Sequence, residues 1–370
     1  MLSKLSVAHY TDPAIFAQEQ AAIFRRLWLF ATFRTAVAEP NAFATRTLGG
    51  LPVLVQNCEG EIRAFENICP HRQMPLQQEE FGQARMVCPY HGWVFDPTGR
   101  VKTIPHEDKL YAYPPEERAA LCLKRFAVAV IGNLVFVNLA DDPLPLDEQF
   151  SPELQATLRE ITGHFGAQAI HANLPARYNW KLNYENVLDY NHVPYIHPKT
   201  FQPLLREGIS HDTPDTAAPP PPMEGLQAQS FWSRSPIKIE HWPWHAGVER
   251  YGEGDYYYNF FLYPNVNFIS LGGLTFLLQQ FQPLAPDRTE VRFTLAAARE
   301  TRRLPALPAI LWGHMKSEVA VLNEDMGHLE ALQAGLHAGA PRAQHGRYEG
   351  RLTHAADVYL DLMGGPEAPR

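Results

Sequence analysis

The stretch CPHRQMPL, residues 69–76, places a cysteine two positions before a histidine, and CPYHGW, residues 88–93, repeats the arrangement with one more residue inserted. Only four cysteines occur in the 370 residues, so half of them stand beside a histidine. Thiolate and neutral imidazole are the soft and borderline donors that hold iron–sulfur clusters or zinc. The order is Cys-x-His, sixteen residues, then Cys-x-x-His. A zinc finger usually groups its cysteines and its histidines, whereas these two loops interleave them. Interleaving suits a [2Fe–2S] cluster gripped by two β-loops, Cys69 and Cys88 on one iron and His71 and His91 on the other. Two imidazoles in place of two thiolates raise the reduction potential to about −150 to +300 mV. Zinc, or two buried thiols near two satisfied histidines, are the competing readings. The Pro and Gly turn residues inside both loops argue against them.

The segment around these loops is β-rich. After Pro40, runs such as LPVLVQNCEG and EIRAFENIC carry strand-forming residues bounded by turn formers, and this texture continues to about Leu139. Residues 11–33, TDPAIFAQEQAAIFRRLWLFATF, read as a helix capped by Thr11 or Asp12 with Pro13 in its first turn. The Pro- and Asp-rich ADDPLPLDEQFSP, residues 140–152, is the expected domain boundary. Beyond it, DYYYNFFLYP, NFISLGGLTFLLQQFQP and TEVRFTLAAA read as consecutive antiparallel strands, and a helix is expected from about Pro308 to Leu336. DTPDTAAPPPPMEG, residues 212–225, can form neither a helix nor a central strand and is a candidate lid or solvated loop.

Net charge is −8 with no basic block, which gives no electrostatic footprint for nucleic acid or an anionic membrane. The most apolar run, FAVAVIGNLVFVNLA at 126–140, is too short to span a bilayer. MLSKLSVAHYTDP lacks a signal-peptide pattern and the cysteines are too few for a disulfide scaffold, so a reducing cytoplasm is the expected compartment. Cys58 and Cys122 have no nearby histidine and read as small core residues.

The second half holds NWKLNYENVLDYNHVPYIHP, residues 179–198. Asp189 and His192 are three apart and would share a helix face. Pro194 would loosen that helix and let the His192 and His197 imidazoles converge. Two histidines and one carboxylate make the facial triad that holds non-haem Fe(II) and leaves coordination positions open.

The two motifs in this order resemble the catalytic α-subunit of the Rieske non-haem iron oxygenases, the aromatic-ring-hydroxylating family. The resemblance rests on the two Cys/His loops and on Asn179, Trp180, Lys181, Asn186, Asp189, His192 and His197. It implies an α+β chain: an N-terminal helical segment over 1–39, an all-β Rieske domain over 40–140, and a helix-grip, START-like antiparallel-sheet catalytic domain over 141–370. It further implies a Rieske [2Fe–2S] cluster and mononuclear Fe(II) held by His192, His197 and an acidic residue on a late helix. In NEDMGHLEALQAGL that residue is Asp325, beside Glu324; Glu318 and Glu330 match the pattern less well. Asn186 and Asp189 would be catalytic, Asp189 bridging the metal centres of neighbouring subunits, which implies a ring of at least three chains, with or without a β-subunit. Asn191 departs from the tyrosine that many members carry before the first histidine.

The function implied is hydroxylation of a small, first of all aromatic, molecule with O2. NAD(P)H would be oxidised on a partner ferredoxin or flavin reductase, since no G-x-G-x-x-G motif opens a βαβ unit here. The alternatives are a monooxygenase dealkylating an alkylamine or aryl ether, and an electron carrier with a ligand-binding domain. Phe201, Leu204, Leu205, Phe231, Trp232, Tyr256, Tyr258, Phe260 and Phe276 are the candidates for an apolar cavity over the iron.

Overall fold

Strand-forming runs on both sides of Pro40 pair into a seven-stranded antiparallel sheet. Its order is Leu29–Phe33, Leu134–Asn138, Arg125–Ile131, Glu61–Glu66, Leu51–Cys58, Ala42–Leu48, Phe81–Gln83 in the computed structural model, which describes residues 2–205, 225–346 and 349–364. Two hairpins fix the register. Gly49–Gly50 and Glu59–Gly60 both have positive φ at each central residue, the two-residue turn whose twist matches that of the strands it joins. Phe43, Leu54, Phe65, Trp93 and Leu123 fill the core beneath the sheet.

The chain divides between Ile23 and Phe24 and again between Leu144 and Pro145: Phe24–Leu144 is one unit, and Met1–Ile23 with Pro145–Arg370 is the other. The helical reading of residues 11–33 therefore holds only in part. Helix covers Pro13–Glu19 and continues as a wider turn to Phe24, but Leu29–Phe33 is a strand paired with Leu134–Asn138. The apolar residues there serve a sheet edge, not a helix face. Cys122 is also not a core residue; it is exposed, while Cys58 is buried.

The second unit is built on a six-stranded antiparallel sheet: Phe165–Ala176, Arg288–Ala298, Thr275–Ala285, Val266–Leu271, Tyr256–Leu262, Phe231–Pro236. The 31-residue helix Leu307–His337 packs on its Phe165–Ala176 and Arg288–Ala298 side. The helix Trp180–Leu188 packs against Thr275–Ala285. Residues 212–224 of the proline-rich stretch lie outside the described residues. Among the described residues no helix is long and apolar enough to cross a membrane.

The run Asn179-Trp180-Lys181 fastens the N-terminus to this unit. Asn179 caps the helix by accepting from the Lys181 N–H at 3.0 Å and donates to the Pro286 carbonyl at 2.7 Å. Glu19, fully buried, accepts from Trp180 Nε1 at 2.9 Å and from the Tyr359 hydroxyl at 2.7 Å, and pairs with the buried ammonium of Lys181. Tyr10, Trp180 and Tyr359 place their rings 5.1–5.2 Å from that ammonium. Burial still pulls the Lys181 pKa down, against the raising effect of Glu19. Removing the carboxylate alone strands a buried cation. Glu19→Ala should therefore lose about 3–5 kcal/mol of stability in this unit, read from denaturant unfolding, and Glu19→Gln less. Unchanged unfolding of Glu19→Ala would contradict the fastening role.

Candidate metal centres

The two Cys/His loops share one backbone turn. The Cys69 N–H donates to the Met74 carbonyl at 2.8 Å and Gln73 N–H to the Cys69 carbonyl at 3.0 Å; Cys88 N–H donates to Trp93 at 2.8 Å and Gly92 N–H to Cys88 at 3.0 Å. Each turn reverses at the fourth residue after its cysteine, where Gln73 has φ 55 and Gly92 φ 71. Both cysteines are buried, and the His71 and His91 rings lie 4.6 Å apart with their Nδ1 atoms buried and unpartnered among the described residues. Trp93 stacks flat on His71 at 4.7 Å, which holds that ring's plane.

An unpaired buried nitrogen is costly, so two of them in loops that also bury two thiols call for a bound electrophile. Burial, with the neighbouring Cys88 thiol, pushes the Cys69 thiol up to about 11, so its thiolate is stable there only beside a cation. Burial first, then His91, lowers the His71 pKa, which keeps the imidazole neutral and able to ligate. The donor set fits a Rieske-type [2Fe–2S] cluster.

The second set forms where the helix Trp180–Leu188 ends. The break falls at Asp189, which caps that helix in an extended conformation, rather than at Pro194, which opens the short helix Val193–Ile196. Asp189 and His192 thus sit on either side of a break and not on one helix face. His192 and His197 flank the short helix and aim Nε2 at Asp325 Oδ1, at 3.7 and 3.0 Å. One donor atom from each of the three lies within 4.8 Å of the others. Asp325 Oδ1 is buried and accepts no hydrogen bond among the described residues. Two imidazoles around such an oxygen fit a divalent cation with positions to spare.

Each ring nitrogen on the far side meets a carboxylate. His197 Nδ1 lies 2.8 Å from Glu324 Oε2, which also accepts from the Thr200 hydroxyl at 2.7 Å. His192 Nδ1 faces Asp189 Oδ2 at 3.6 Å, beyond hydrogen-bond length. Such carboxylates fix the tautomer and direction of a ligating ring. Burial pulls the His197 pKa down, but Asp325 and Glu324 outweigh it and the pKa is raised. Burial likewise opposes ionisation of Asp189, and His192 with the Asn191 N–H, at 2.7 Å, outweighs it. Glu330 is engaged elsewhere, by Arg177 at 3.1 Å, and Glu318 by His314 at 3.0 Å.

A cavity of about 120 Å³ adjoins the three donors, and Asn186, Phe201 and Leu204 line it. Tyr256, Tyr258 and Phe260 do not: one residue of register puts them on the opposite sheet face, where Phe260 packs on Phe268 and Trp232. Phe276 packs on Phe268 and Phe165. Leu205, Phe231 and Trp232 are likewise absent from the lining. The inward face carries Tyr257, Asn259, Asn267, Ile269 and Gln279 instead. These buried polar residues alternate with apolar ones as a solvated face would, so the pattern hides them.

The geometry separates the two centres genetically. His71→Ala or Cys88→Ala should lose the cluster's visible absorption and much of the stability of its unit, because loops tied by metal fold with it. Asp325→Ala should keep that absorption and lose the other metal, measured by elemental analysis. A full cluster spectrum in Cys88→Ala, or undiminished metal in Asp325→Ala, would contradict the assignment.

Residues 28–114 match the family described as Rieske [2Fe-2S] domain, and residues 163–365 match the ring hydroxylating alpha subunit (catalytic domain). The glycine betaine monooxygenase oxygenase subunit of Chromohalobacter salexigens is 31% identical over 248 residues, 66% of this chain and 52% of that protein. The large oxygenase component of the naphthalene 1,2-dioxygenase system of Pseudomonas aeruginosa is 31% identical over 246 residues, 64% of this chain and 53% of that protein. The chain thus spans about half the length of these curated relatives. Among solved structures, a quaternary ammonium Rieske monooxygenase described for carnitine oxidation and inter-subunit electron transfer superposes with a TM-score of 0.74. It is 17% identical and covers 97% of this chain and 93% of its own. With an N-terminal Rieske β domain followed by an antiparallel-sheet catalytic domain of the type that holds mononuclear iron, the chain belongs to the Rieske oxygenases of the ring-hydroxylating α-subunit family.

Proposed function

We propose that the chain is the terminal oxygenase component of a system that monooxygenates a small polar alkylamine, and that the aromatic reading of the sequence is the less supported one. The observation that carries this is the cavity wall beside the triad. Asn259 and Asn267 are buried, and the side-chain oxygen of each has no hydrogen-bond partner among the described residues. Their amide nitrogens are used, by the Tyr190 hydroxyl at 3.0 Å and by Gln279 Oε1 at 3.4 Å. A wall that carries Asn259, Asn267 and Gln279 beside the triad suits a polar or cationic substrate better than a hydrocarbon. The glycine betaine and quaternary ammonium relatives point the same way.

In this reading His192, His197 and Asp325 hold Fe(II), and Cys69, His71, Cys88 and His91 hold the cluster. The iron, when bound, supplies O2 activation with electrons passed through the cluster from a ferredoxin or flavin reductase. The protein's part is position and protons. Glu324, held by Thr200, keeps the His197 ring turned so that Nε2 faces the metal and the proton stays on Nδ1. Asp189, anchored by the Asn191 N–H and by its own N–H to the Asn186 carbonyl at 3.2 Å, stands ready to accept a hydrogen bond from the Nδ1–H of His192. Phe201, Leu204 and Leu322 exclude water from the cavity, and Asn186 completes its wall.

Asp189 also has a side open to a neighbour, its side chain being 25% exposed. We place a cluster histidine of an adjacent subunit there, the counterpart of His91, in a trimer of head-to-tail contacts. Asp189→Ala should then keep both metal centres and slow oxidation of the pre-reduced cluster by substrate and O2 about 10–100-fold. Wild-type rates in Asp189→Ala, or a fully active monomer by solution mass, would remove that route. Substrate class is decided by O2 uptake with a surrogate reductase. Uptake coupled to product from N-methylated ammonium compounds and not from naphthalene is expected, and the reverse would restore the aromatic reading.

A further inference from the structure

A second cavity, about 610 Å³, adjoins the one at the triad. The two share Leu204, Leu271, Glu318 and Val321, so they meet at these side chains. The outer one is walled by Trp242 and Trp244, and Trp242 is 54% exposed, which sets that end at the surface. Lys238 and Glu240 also line it, both exposed and of opposite charge.

Glu318 is the charged side chain that belongs to both cavities, and it is 13% exposed. It stands seven residues, about two turns, before Asp325 on the helix Leu307–His337. Among the described residues its hydrogen-bond partner is His314, whose Nε2 lies 3.0 Å from Oε1. The imidazole N–H donating there fixes the carboxylate's direction. Tyr257 faces it as well, and burial, with the charges of Tyr190, Glu318 and Asp325, holds that phenol far above its ordinary pKa and so uncharged. His245 and Lys238 line the outer cavity and not the one at the triad.

An anion on a wall shared by two cavities is costly unless a cation meets it, and indole faces attract the same cations. We propose that Glu318 determines specificity: its carboxylate receives the cationic nitrogen of the substrate between the tryptophan-walled outer cavity and the triad. This rests on the alkylamine reading above and adds to it a named counter-ion and an entry side. It also explains why a carboxylate two turns from Asp325 is not a metal ligand but a neighbour of the substrate path.

The test uses the holoenzyme with both metal centres verified by spectrum and metal content. Choline and its uncharged carbon isostere, 3,3-dimethylbutan-1-ol, are titrated calorimetrically into wild type, Glu318→Gln and Glu318→Asp. Wild type should bind choline about tenfold more tightly than the isostere. Glu318→Gln should lose that preference through weaker choline binding alone, with isostere binding and both metal centres unchanged, and Glu318→Asp should keep part of it. A Glu318→Gln protein with the wild-type preference overturns the role of Glu318 and leaves the alkylamine reading standing. A wild type that shows no preference for the cation contradicts the alkylamine reading and this inference together.

Discussion

Everything proposed for the second unit depends on one close approach, that of a buried carboxylate oxygen of Asp325 to the Nε2 atoms of His192 and His197. Three groups that would otherwise be solvated are held together in a site with no hydrogen bond to the oxygen at its centre. That arrangement favours a bound cation. The two sides of the site come from different kinds of support. The histidines flank a four-residue helix set at an angle by the break at Asp189, whereas Asp325 rides a 31-residue helix. Successive residues on a helix point about 100° apart. Asp325 can therefore face the donors while Glu324 reaches behind His197, and the same helix carries Glu318 toward the substrate path.

The cluster loops solve a related problem by repetition. Two segments close in sequence adopt the same hydrogen-bonded turn, so a thiol and an imidazole are presented twice in the same local geometry. The extra residue in the second loop, Tyr90, sits outside the cluster donors with its ring 53% exposed and 3.9 Å from that of His91. An exposed ring on the histidine proposed as a cluster ligand is well placed to meet another protein, and the proposed passage of electrons through Asp189 of a neighbour uses that side.

What could be read from the sequence was what depends on local order. The interleaved Cys/His loops announce a cluster because all four donors lie within 23 residues of chain. The consecutive strands from Tyr256 to Ala298 and the long helix after Leu307 follow from periodicity and length. Other features depend on long-range partners. Leu29–Phe33 is apolar enough to continue a helix and becomes a strand only because Leu134–Asn138 pairs with it. Phe201 and Leu204 do line the cavity, whereas Tyr256, Tyr258 and Phe260 miss it by one residue of register, since a strand buried on both faces does not reveal which side meets the metal. Glu19 carries no local signal at all; its partners, Trp180, Lys181 and Tyr359, are over 150 residues away.

The central claim is that one chain holds two separate iron centres. The most direct measurement is the iron, zinc and acid-labile sulfide content of protein purified without air and reconstituted with ferrous iron and sulfide. About three irons and two sulfides per chain, with no zinc, is the expected result. Zinc in place of iron at either site, or two irons with two sulfides and no further metal, would contradict the account.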